Sequence, residues 1–334
     1  MKVVLGFSGG VDSAVSAVLL RRAGWEVSGL YLDNTGSEAR QYAQDAAARM
    51  ALPLRVLDVH EALEETVCAP FCAAYLRGET PNPCILCNPA LKFRALLAEA
   101  DRLGAEAVAT GHYARAEGGA LFRGRPANDQ SYMLCRLTRE QLARAVFPLG
   151  GFEKREVRAM AEKFGLPAAH KPDSMEICFI PDKDYAGWLK RRGAVSEPGD
   201  FLFHGRVIGR HEGIVRYTVG QRRSGLYEGR KLYVAGIDAA ANTVTLALWE
   251  ELFKTEVLAR DFNWLVDEPA GPLRASVRVR HTRWETPPCT VYPLGCGKVR
   301  IVCDEPVRAP APGQSAVLYD GERVLGGGLI CGPK

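Results

Sequence analysis

The sequence predicts an α/β fold with a doubly wound parallel sheet in its first half and short antiparallel strands in its last two fifths. Two observations support this prediction. Apolar strand patterns alternate with amphipathic helical patterns from residue 2 to about residue 110, and a Gly- and Ser-rich loop separates the first strand from the first helix. Beyond about residue 195 helical patterns nearly vanish, and short alternating runs are separated by Gly, Pro and Asp.

The elements of the first half follow one another at the spacing of βαβ units. The predicted strands are Lys2–Phe7, Glu26–Leu32, Leu54–Asp58 and Glu106–Thr110. The predicted helices are Val11–Ala23, Glu38–Met50, Glu61–Leu76, Ala90–Leu103, Lys154–Phe164 and Asp184–Arg191. This alternation indicates parallel strands with helices on both faces. Ligands bind beyond the carboxyl ends of such strands, where Ser8, Asp33 and Gly111 fall.

The second part begins after a stretch with the composition of a linker, Gly193–Asp200. Its predicted strands are Arg216–Val219, Lys231–Ile237, Thr243–Leu248, Ala275–Arg280, Lys298–Cys303 and Ser315–Tyr319. Runs of this length with Gly, Pro and Asp turns are typical of small antiparallel domains or barrels.

Bulk properties bound the function. A chain of 334 residues predicts two or three domains, and 47% hydrophobic with 25% charged residues is ordinary for a globular protein. The sequence shows no apolar run of about 20 residues and no secretory signal pattern, so we expect a cytoplasmic protein with no membrane partner. Ten cysteines in such a chain favour thiol chemistry or metal binding over a disulfide framework.

The net charge of +4 is concentrated in the second part. Residues 1–200 carry 25 basic and 25 acidic side chains, whereas residues 201–334 carry 18 and 14. Between Leu273 and Arg300 a single acid, Glu285, accompanies the bases Arg274, Arg278, Arg280, Arg283, Lys298 and Arg300. This stretch is either a solvated basic face or a surface that binds phosphates.

The loop between the first strand and helix has the features of an anion site. Gly9 and Gly10 leave backbone amides uncovered, the helix N-terminus adds its unpaired N–H groups, and Ser8 and Ser13 supply hydroxyls. Asp12 could cap the helix or help to hold Mg²⁺. The loop resembles the pyrophosphate-binding loop of ATP pyrophosphatases, which implies that ATP contacts Gly6, Phe7, Ser8, Gly9, Gly10, Val11, Asp12 and Ser13.

Three cysteines stand in contexts that favour chemistry. Cys84 and Cys87 form a Cys-x-x-Cys at a helix start, where the helix dipole favours a thiolate, and Cys178 stands alone far downstream. Half a zinc site and a redox pair are both open on this evidence. No second Cys-x-x-Cys or spaced His pair completes a zinc site.

Over nearly its whole length the chain resembles one family, the bacterial tRNA-specific 2-thiouridylases. The motifs that carry the resemblance are Gly6–Ser13, Thr80–Asn88, Ala109–Arg115, Asn128–Tyr132, Phe147–Gly150, Asp173–Phe179, Tyr217–Arg222, Pro312–Gln314 and Gly326–Gly328. The resemblance implies a nucleotide-binding catalytic domain (residues 1–195), a small central domain (196–250) and a C-terminal antiparallel β-barrel that contacts tRNA (251–334).

The family chemistry implied for this chain is ATP-dependent 2-thiolation of the wobble uridine of tRNA. The C2 oxygen is adenylated and then replaced by sulfur, with Cys178 carrying a persulfide and Cys87 as its catalytic partner. Leu32 and Gly111 match further ATP contacts. Positions that match target-base or tRNA contacts are Asn82, Pro83, Cys84, His112, Asn128, Asp129, Gln130 and Gln314. Arg278 and Arg280 are our best candidates for contacts to the tRNA backbone.

Two departures from the family pattern affect these assignments. Cys84 replaces a commoner Asp, so Cys84, Cys87 and Cys178 could alternatively ligate a [4Fe-4S] cluster whose fourth iron binds sulfide. The segment Asp33–Ser37 is shorter than in many relatives and bears on the Leu32 assignment. The expected sulfur donor is a cysteine desulfurase, a sulfur-relay protein or inorganic sulfide.

Two other classes of function compete with this interpretation. An amidating synthetase with a small-molecule acceptor would keep the ATP loop, but it would need an ammonia source and would leave the cysteines without a purpose. An RNA-binding protein with a structural metal clip at the three cysteines would leave the Gly6–Ser13 loop unexplained. AMP formation that depends on tRNA separates all three.

Overall fold

The computed structural model describes residues 1–34, 36–169, 177–223, 225, 227–281 and 286–332. Contacts between Cα atoms group the chain into two compact units. The first comprises residues 1–67, 84–181 and 322–324, and the second comprises residues 68–83, 182–321 and 325–334. None of the described helices combines the length and the apolar character that a membrane crossing needs.

The first 170 residues form the predicted βα alternation. The strands are β1 (Lys2–Gly6), β2 (Glu26–Asp33), β3 (Leu54–Asp58), β4 (Ala107–Ala109), β5 (Ala114–Glu117), β6 (Ala120–Arg123) and β7 (Ala145–Val146). The α-helices are α1 (Val11–Arg22), α2 (Ser37–Arg49), α3 (His60–Leu63), α4 (Ala69–Leu76), α5 (Pro83–Cys87), α6 (Arg94–Leu103), α7 (Arg139–Ala143) and α8 (Lys154–Lys163). Two π-helices, Glu64–Cys68 and Asn88–Phe93, interrupt predicted α-helices, and a 3₁₀ turn covers Ser131–Leu134.

A parallel sheet of order β3-β2-β1-β4-β7 confirms the predicted fold class. Its central strand β1 is buried on both faces, since Val3, Val4 and Leu5 are at most 1% exposed. Val3 and Leu5 belong to the core that α1, α2 and α8 complete. This order places the ends of β1, β2 and β4 side by side at one edge. The hairpin β5–β6 was not predicted from the sequence.

The later residues form one further helix and ten strands. These are α9 (Tyr185–Arg191), β8 (Gly199–Phe203), β9 (Arg206–His211), β10 (Tyr233–Asp238), β11 (Thr243–Ala247), β12 (Phe253–Trp264), β13 (Leu273–Arg278), β14 (Pro288–Gly295), β15 (Lys298–Arg308), β16 (Ser315–Asp320) and β17 (Arg323–Ile330), with 3₁₀ turns at Ile214–Arg216 and Glu250–Leu252. The strand predicted at Arg216–Val219 is wrong, because a 3₁₀ turn leads there into irregular backbone.

Two separate sheets organise these strands. A four-stranded sheet has the order β10-β11-β8-β9, in which β11 and β8 run parallel. The last six strands close into an antiparallel barrel of order β12-β15-β14-β13-β16-β17, with β12 pairing back to β17. Alternate barrel residues such as Val277, Val291, Ile301 and Leu318 are fully buried and form its core.

Candidate active site

The loop between β1 and α1 adopts the conformation that an anion site requires. Gly9 has a φ of +74°, and a Cβ there would lie 3.1 Å from the Tyr42 ring. Gly10 is the N-cap residue of α1, and it has no side chain that could accept a hydrogen bond from the first N–H groups of the helix. Ser13 Oγ donates to Gly10 O at 3.0 Å and lies 3.4 Å from Ser8 Oγ. The loop therefore presents amides and two hydroxyls at the sheet edge.

Asp12 does not cap the helix; it is the centre of a polar cluster. Its carboxylate accepts two hydrogen bonds from Lys154 Nζ, at 2.7 and 2.8 Å, and one from the Tyr113 hydroxyl at 2.7 Å. The ammonium also lies 5.8 Å from the centre of the Tyr113 ring. Lys154 and Tyr113 were missed by sequence reasoning, although the motifs Phe147–Gly150 and Ala109–Arg115 border or contain them. The cluster places a lysine cation beside the predicted phosphate loop.

Gly111 and His112 follow β4 at the same sheet edge. A Cβ on Gly111 would lie 3.0 Å from Asp12 Cβ and 3.3 Å from Ser13 N, so any larger residue would push against the start of α1. The half-buried His112 ring pairs with Thr110 Oγ1 at 2.7 Å. Burial, assisted by the charge of Lys92, holds the pKa of His112 well below its usual value, so the ring is neutral. Leu32 lies one residue before the end of β2.

The predicted tRNA-contacting segment 128–130 also has structural tasks. Asn128 Oδ1 accepts from the Lys154 amide at 3.1 Å, at the start of α8. Asp129 Oδ1 accepts from Gly124 N at 3.0 Å and from Ser131 N at 2.9 Å. Gln130 pairs with the backbone of Tyr113 through both its side chain and its amide. These bonds fix the segment beside the residues that hold Asp12.

Cys84 and Cys87 lie on α5, directly before the π-helix Asn88–Phe93. Burial raises the pKa of the Cys87 thiol to about 11. It also raises the pKa of Cys84, whose side chain remains partly open to solvent while packed protein atoms displace most of its surrounding water. Both shifts run against the expectation that the helix start favours a thiolate, because burial disfavours the charged form of a thiol.

Lys92, which sequence reasoning missed, opposes this effect of burial. Its positive charge lowers the pKa of both thiols, and its amide donates a hydrogen bond to the Cys87 sulfur. Cys178 lies close enough for its charge to raise the pKa of the same two thiols. The structure thus brings the three predicted cysteines close enough for their charges to interact, and Lys92 acts on two of them, Cys84 and Cys87.

Cys178 is exposed, and Asn34 Nδ2 donates to its sulfur at 3.2 Å. Asn34 directly follows β2, whose neighbour β1 leads into the phosphate loop. This contact puts Cys178 at the sheet edge that carries the loop. The preceding residues of its motif, 173–176, lie outside the described residues.

The residues predicted to hold metal are the three cysteines and Asp12. Within the described ranges, which include Cys84, Cys87 and Cys178, no group of three or more His, Cys, Asp or Glu is arranged to hold a metal ion. The Asp12 carboxylate, predicted to help hold Mg²⁺, already bonds the Lys154 ammonium.

In the second unit, Gln314 and the Thr80 segment hold each other. Gln314 Nε2 donates to Thr80 O at 2.8 Å, and Thr80 N donates to Pro312 O at 2.7 Å. These bonds anchor the chain at Thr80, two residues before Asn82 and three before Pro83. Both of these residues are predicted to face the target base. Gln314 thus has a positioning task beside its predicted tRNA contact.

The arginines of the predicted basic stretch are largely engaged within the protein. Arg280 donates to the carbonyls of Ala309 and Val219. Arg274 pairs with Asp304 at 2.5 Å, and Arg300 pairs with Glu256 at 3.0 Å. Arg278 is half-buried at the end of β13 and also has partners within the protein. Arg283 and Glu285 lie outside the described residues.

The parallel sheet with its Ser/Gly loop has the α/β architecture of the HUP-domain class. Family models match along the chain: the tRNA methyl transferase HUP domain over residues 1–182, the tRNA methyl transferase PRC-barrel domain over 187–247 and the aminomethyltransferase beta-barrel domain over 254–330. The chain is 45% identical to the tRNA-specific 2-thiouridylase MnmA of Syntrophotalea carbinolica, with 98% of each chain covered.

Two further relatives carry the same name. The protein from Pelotomaculum thermopropionicum is 44% identical, covering 98% of this chain and 97% of that one, and the protein from Geobacter metallireducens is 41% identical, covering 98% and 96%. The chain therefore belongs to the MnmA family of tRNA-specific 2-thiouridylases, which are tRNA sulfurtransferases. A 4-thiouridine synthetase–RNA complex with bound ATP is a remote structural neighbour, with 18% identity, a TM-score of 0.36 and coverage of 57% of this chain and 50% of that one.

Proposed function

We propose that this protein replaces the C2 oxygen of the wobble uridine of tRNA by sulfur in two stages, of which the first consumes ATP. In the first stage the C2 oxygen attacks the α-phosphorus of ATP and pyrophosphate leaves. The amides and hydroxyls of the loop Ser8–Ser13 and the ammonium of Lys154 provide the positive potential that a departing pyrophosphate requires. Leu32 and Gly111 complete the nucleotide contacts, and any Mg²⁺ arrives with ATP.

In the second stage a persulfide on Cys178 supplies the sulfur. The Cys87 thiolate attacks the inner sulfur of the persulfide, so that a Cys87–Cys178 disulfide forms and sulfide is released. Sulfide then adds to C2, and AMP departs with the original oxygen. An external dithiol reduces the disulfide, and a cysteine desulfurase or a sulfur-relay protein transfers sulfane sulfur from its own persulfide to reload Cys178. Inorganic sulfide, the third expected donor, would bypass Cys178 and add directly to the adenylated C2.

The contact between Asn34 and Cys178 at 3.2 Å is the observation that supports this assignment most directly. The candidate sulfur carrier therefore lies at the same sheet edge as the phosphate loop. Cys178 is also near enough to Cys87 for its charge to raise the pKa of the Cys87 thiol. An amidating synthetase would need neither feature. Contacts of tRNA with Asn82, Pro83, Cys84, His112, Asn128, Asp129, Gln130 and Gln314 belong to the same proposal.

The test separates the two stages in single turnover with unmodified tRNA. Cys87→Ser and Cys178→Ser are each expected to release tRNA-dependent pyrophosphate at close to the normal rate and to form no 2-thiouridine, measured by retardation of thiolated tRNA on a mercury-containing gel. Cys296→Ser is the matched control, because Cys296 is exposed in the turn between β14 and β15. Normal thiolation by Cys178→Ser would contradict the persulfide route. Pyrophosphate release without tRNA would contradict the assignment of tRNA as the substrate that is adenylated.

A further inference from the structure

A two-stranded segment of the second unit carries cations that the site described above does not use. We call it the basic ribbon and define it as residues 220–223 and 230–234. Gly220 N donates to Val234 O at 2.7 Å, Val234 N to Gln221 O at 2.9 Å, and Arg223 N to Leu232 O at 2.9 Å. Residues 220–222 of the ribbon lie within the motif Tyr217–Arg222, to which the proposed chemistry assigns no role.

The ribbon presents a concentrated positive charge to solvent. Residues 220–234 contain four bases and one acid, Glu228. Arg222, Arg230 and Lys231 are exposed, and within the described parts of the chain none of the three has an ion-pair partner. Arg223 instead stacks over the Phe201 ring at 5.1 Å. Three cations are therefore available to a polyanion.

The base of the ribbon is anchored by other arginines. Arg280 donates to Val219 O, and Arg308 Nη2 lies 3.4 Å from Gly220 O, which it contacts as a donor. Gly220 has a φ of +88°, and a Cβ there would lie 3.2 Å from Arg280 Nη2. Gln221 Oε1 accepts from Thr218 N at 2.9 Å. Little backbone freedom is left to lose on binding, which favours affinity.

This arrangement contrasts with the predicted basic stretch between residues 273 and 300. There Arg274 and Arg300 form ion pairs, and Arg280 is one of the groups that brace the ribbon. A cation that already faces a carboxylate releases fewer counterions from a phosphate than an unpaired one, so it adds less to affinity.

We propose that the basic ribbon is a binding surface for the sugar-phosphate backbone of tRNA, with Arg222, Arg230 and Lys231 as its phosphate contacts. This inference rests on the proposed function, because tRNA is the polyanion that the enzyme must hold. The ribbon would position the substrate without reading its sequence. Arg280 would then act through the ribbon as a positioning residue.

The experiment measures tRNA affinity by fluorescence anisotropy from 0.05 to 0.3 M salt for the full-length protein and for the triple variant Arg222→Ala, Arg230→Ala, Lys231→Ala. Each lost phosphate contact removes about 0.9 from the slope of log K against log salt, so we expect a decrease of roughly 2 to 3. At 0.15 M salt this corresponds to a loss of affinity on the order of 100-fold.

The matched control is the triple variant Arg49→Ala, Lys163→Ala, Lys190→Ala, which removes the same charge from exposed positions on three helices. Its slope is expected to stay within about 0.5 of the parent value. Equal slopes for parent and ribbon variant would overturn the inference while leaving the proposed function intact if the parent still thiolates tRNA. Failure of the parent to bind or thiolate tRNA would overturn the proposed function itself. Near-equal melting temperatures confirm that both variants are folded.

Discussion

Replacing Lys154 by Met tests whether the cluster around Asp12 serves the phosphate loop. Methionine keeps the unbranched chain up to the position of Cε and removes the ammonium group with its charge. Lys154 is the one cation that bonds Asp12 within the described residues, through both carboxylate oxygens at 2.7 and 2.8 Å. We therefore expect a small loss of stability and a large loss of pyrophosphate release.

The two losses differ because they have different origins. The Lys154 and Asp12 side chains are 20% and 34% exposed, so water screens the pair, and Asp12 keeps its bond from the Tyr113 hydroxyl. We expect a decrease of about 1–2 kcal/mol in the free energy of unfolding, below the 3–5 kcal/mol typical of a fully buried pair. Loss of a cation that stabilises departing pyrophosphate should slow its release about 10²- to 10³-fold.

The assay is pyrophosphate release in single turnover with saturating tRNA, alongside urea unfolding. Two matched variants separate charge from packing. Tyr113→Phe removes one hydrogen bond to Asp12 and keeps the ring, so we expect about 1 kcal/mol of destabilisation and less than tenfold loss of rate. Lys163→Met changes an exposed lysine at the end of the same helix and is expected to change neither quantity.

The reasoning would be refuted by a Lys154→Met variant that releases pyrophosphate within about threefold of the parent rate. A rate loss equal to that of Tyr113→Phe would instead show that the cluster acts through the shape of the loop. Asp12→Asn adds a further check, because it should reduce pyrophosphate release while leaving tRNA affinity unchanged. Lost tRNA affinity in Asp12→Asn would place the loop in RNA binding.

Two predictions concern the thiols. Cys84→Asp should retain thiolation within about tenfold in anaerobically purified protein with a cysteine desulfurase and cysteine as donor, because the persulfide route gives Cys84 no part in bond making. Iron in the parent that is lost together with activity in Cys84→Asp would favour the cluster interpretation. The sulfur-transfer rate should rise about tenfold per pH unit from pH 7 to 9, because burial raises the pKa of Cys87 to about 11 and the thiolate fraction grows up to that pH. Lys92→Met should slow this step about three- to tenfold at every pH without changing pyrophosphate release, and a flat pH profile in the parent would contradict thiolate attack by Cys87.

The fold of the first unit was predictable because its signals are local. The β1–loop–α1 unit follows from a β-branched run, a Gly-rich turn and a helix that is buried along most of its length, and its boundaries agree with the structure to within a residue. The π-helix at Asn88–Phe93 could not be predicted, since it changes the hydrogen-bond register without changing the apolar pattern. The run at Arg216–Val219 alternates like a strand, yet it is held by side chains from distant sequence.

The candidate site was predictable as far as its residue types stand out in sequence. The Gly-rich turn and the cysteine motifs are uncommon in sequence, so they point to Gly9, Asp12, Cys87 and Cys178. Lys154 does not stand out, because a lysine in the first turn of an amphipathic helix is ordinary until the fold brings it 2.7 Å from Asp12. Lys92 and Asn34 are of the same kind, since only the folded chain places them against the thiols of Cys87 and Cys178.

Charge counting along the sequence located the basic half of the molecule but not its available cations. The stretch between residues 273 and 300 has the larger number of bases, yet strand pairing sets Arg274 and Arg300 against carboxylates on neighbouring strands. The ribbon holds fewer bases, and its two strands come from one short segment with a single acid. A contact with a phosphate adds most to affinity when the cation is otherwise solvated only by water. On our proposal the second unit therefore binds the tRNA backbone at Arg222, Arg230 and Lys231, while Arg280 and Arg308 hold the base of that surface through Val219 O and Gly220 O.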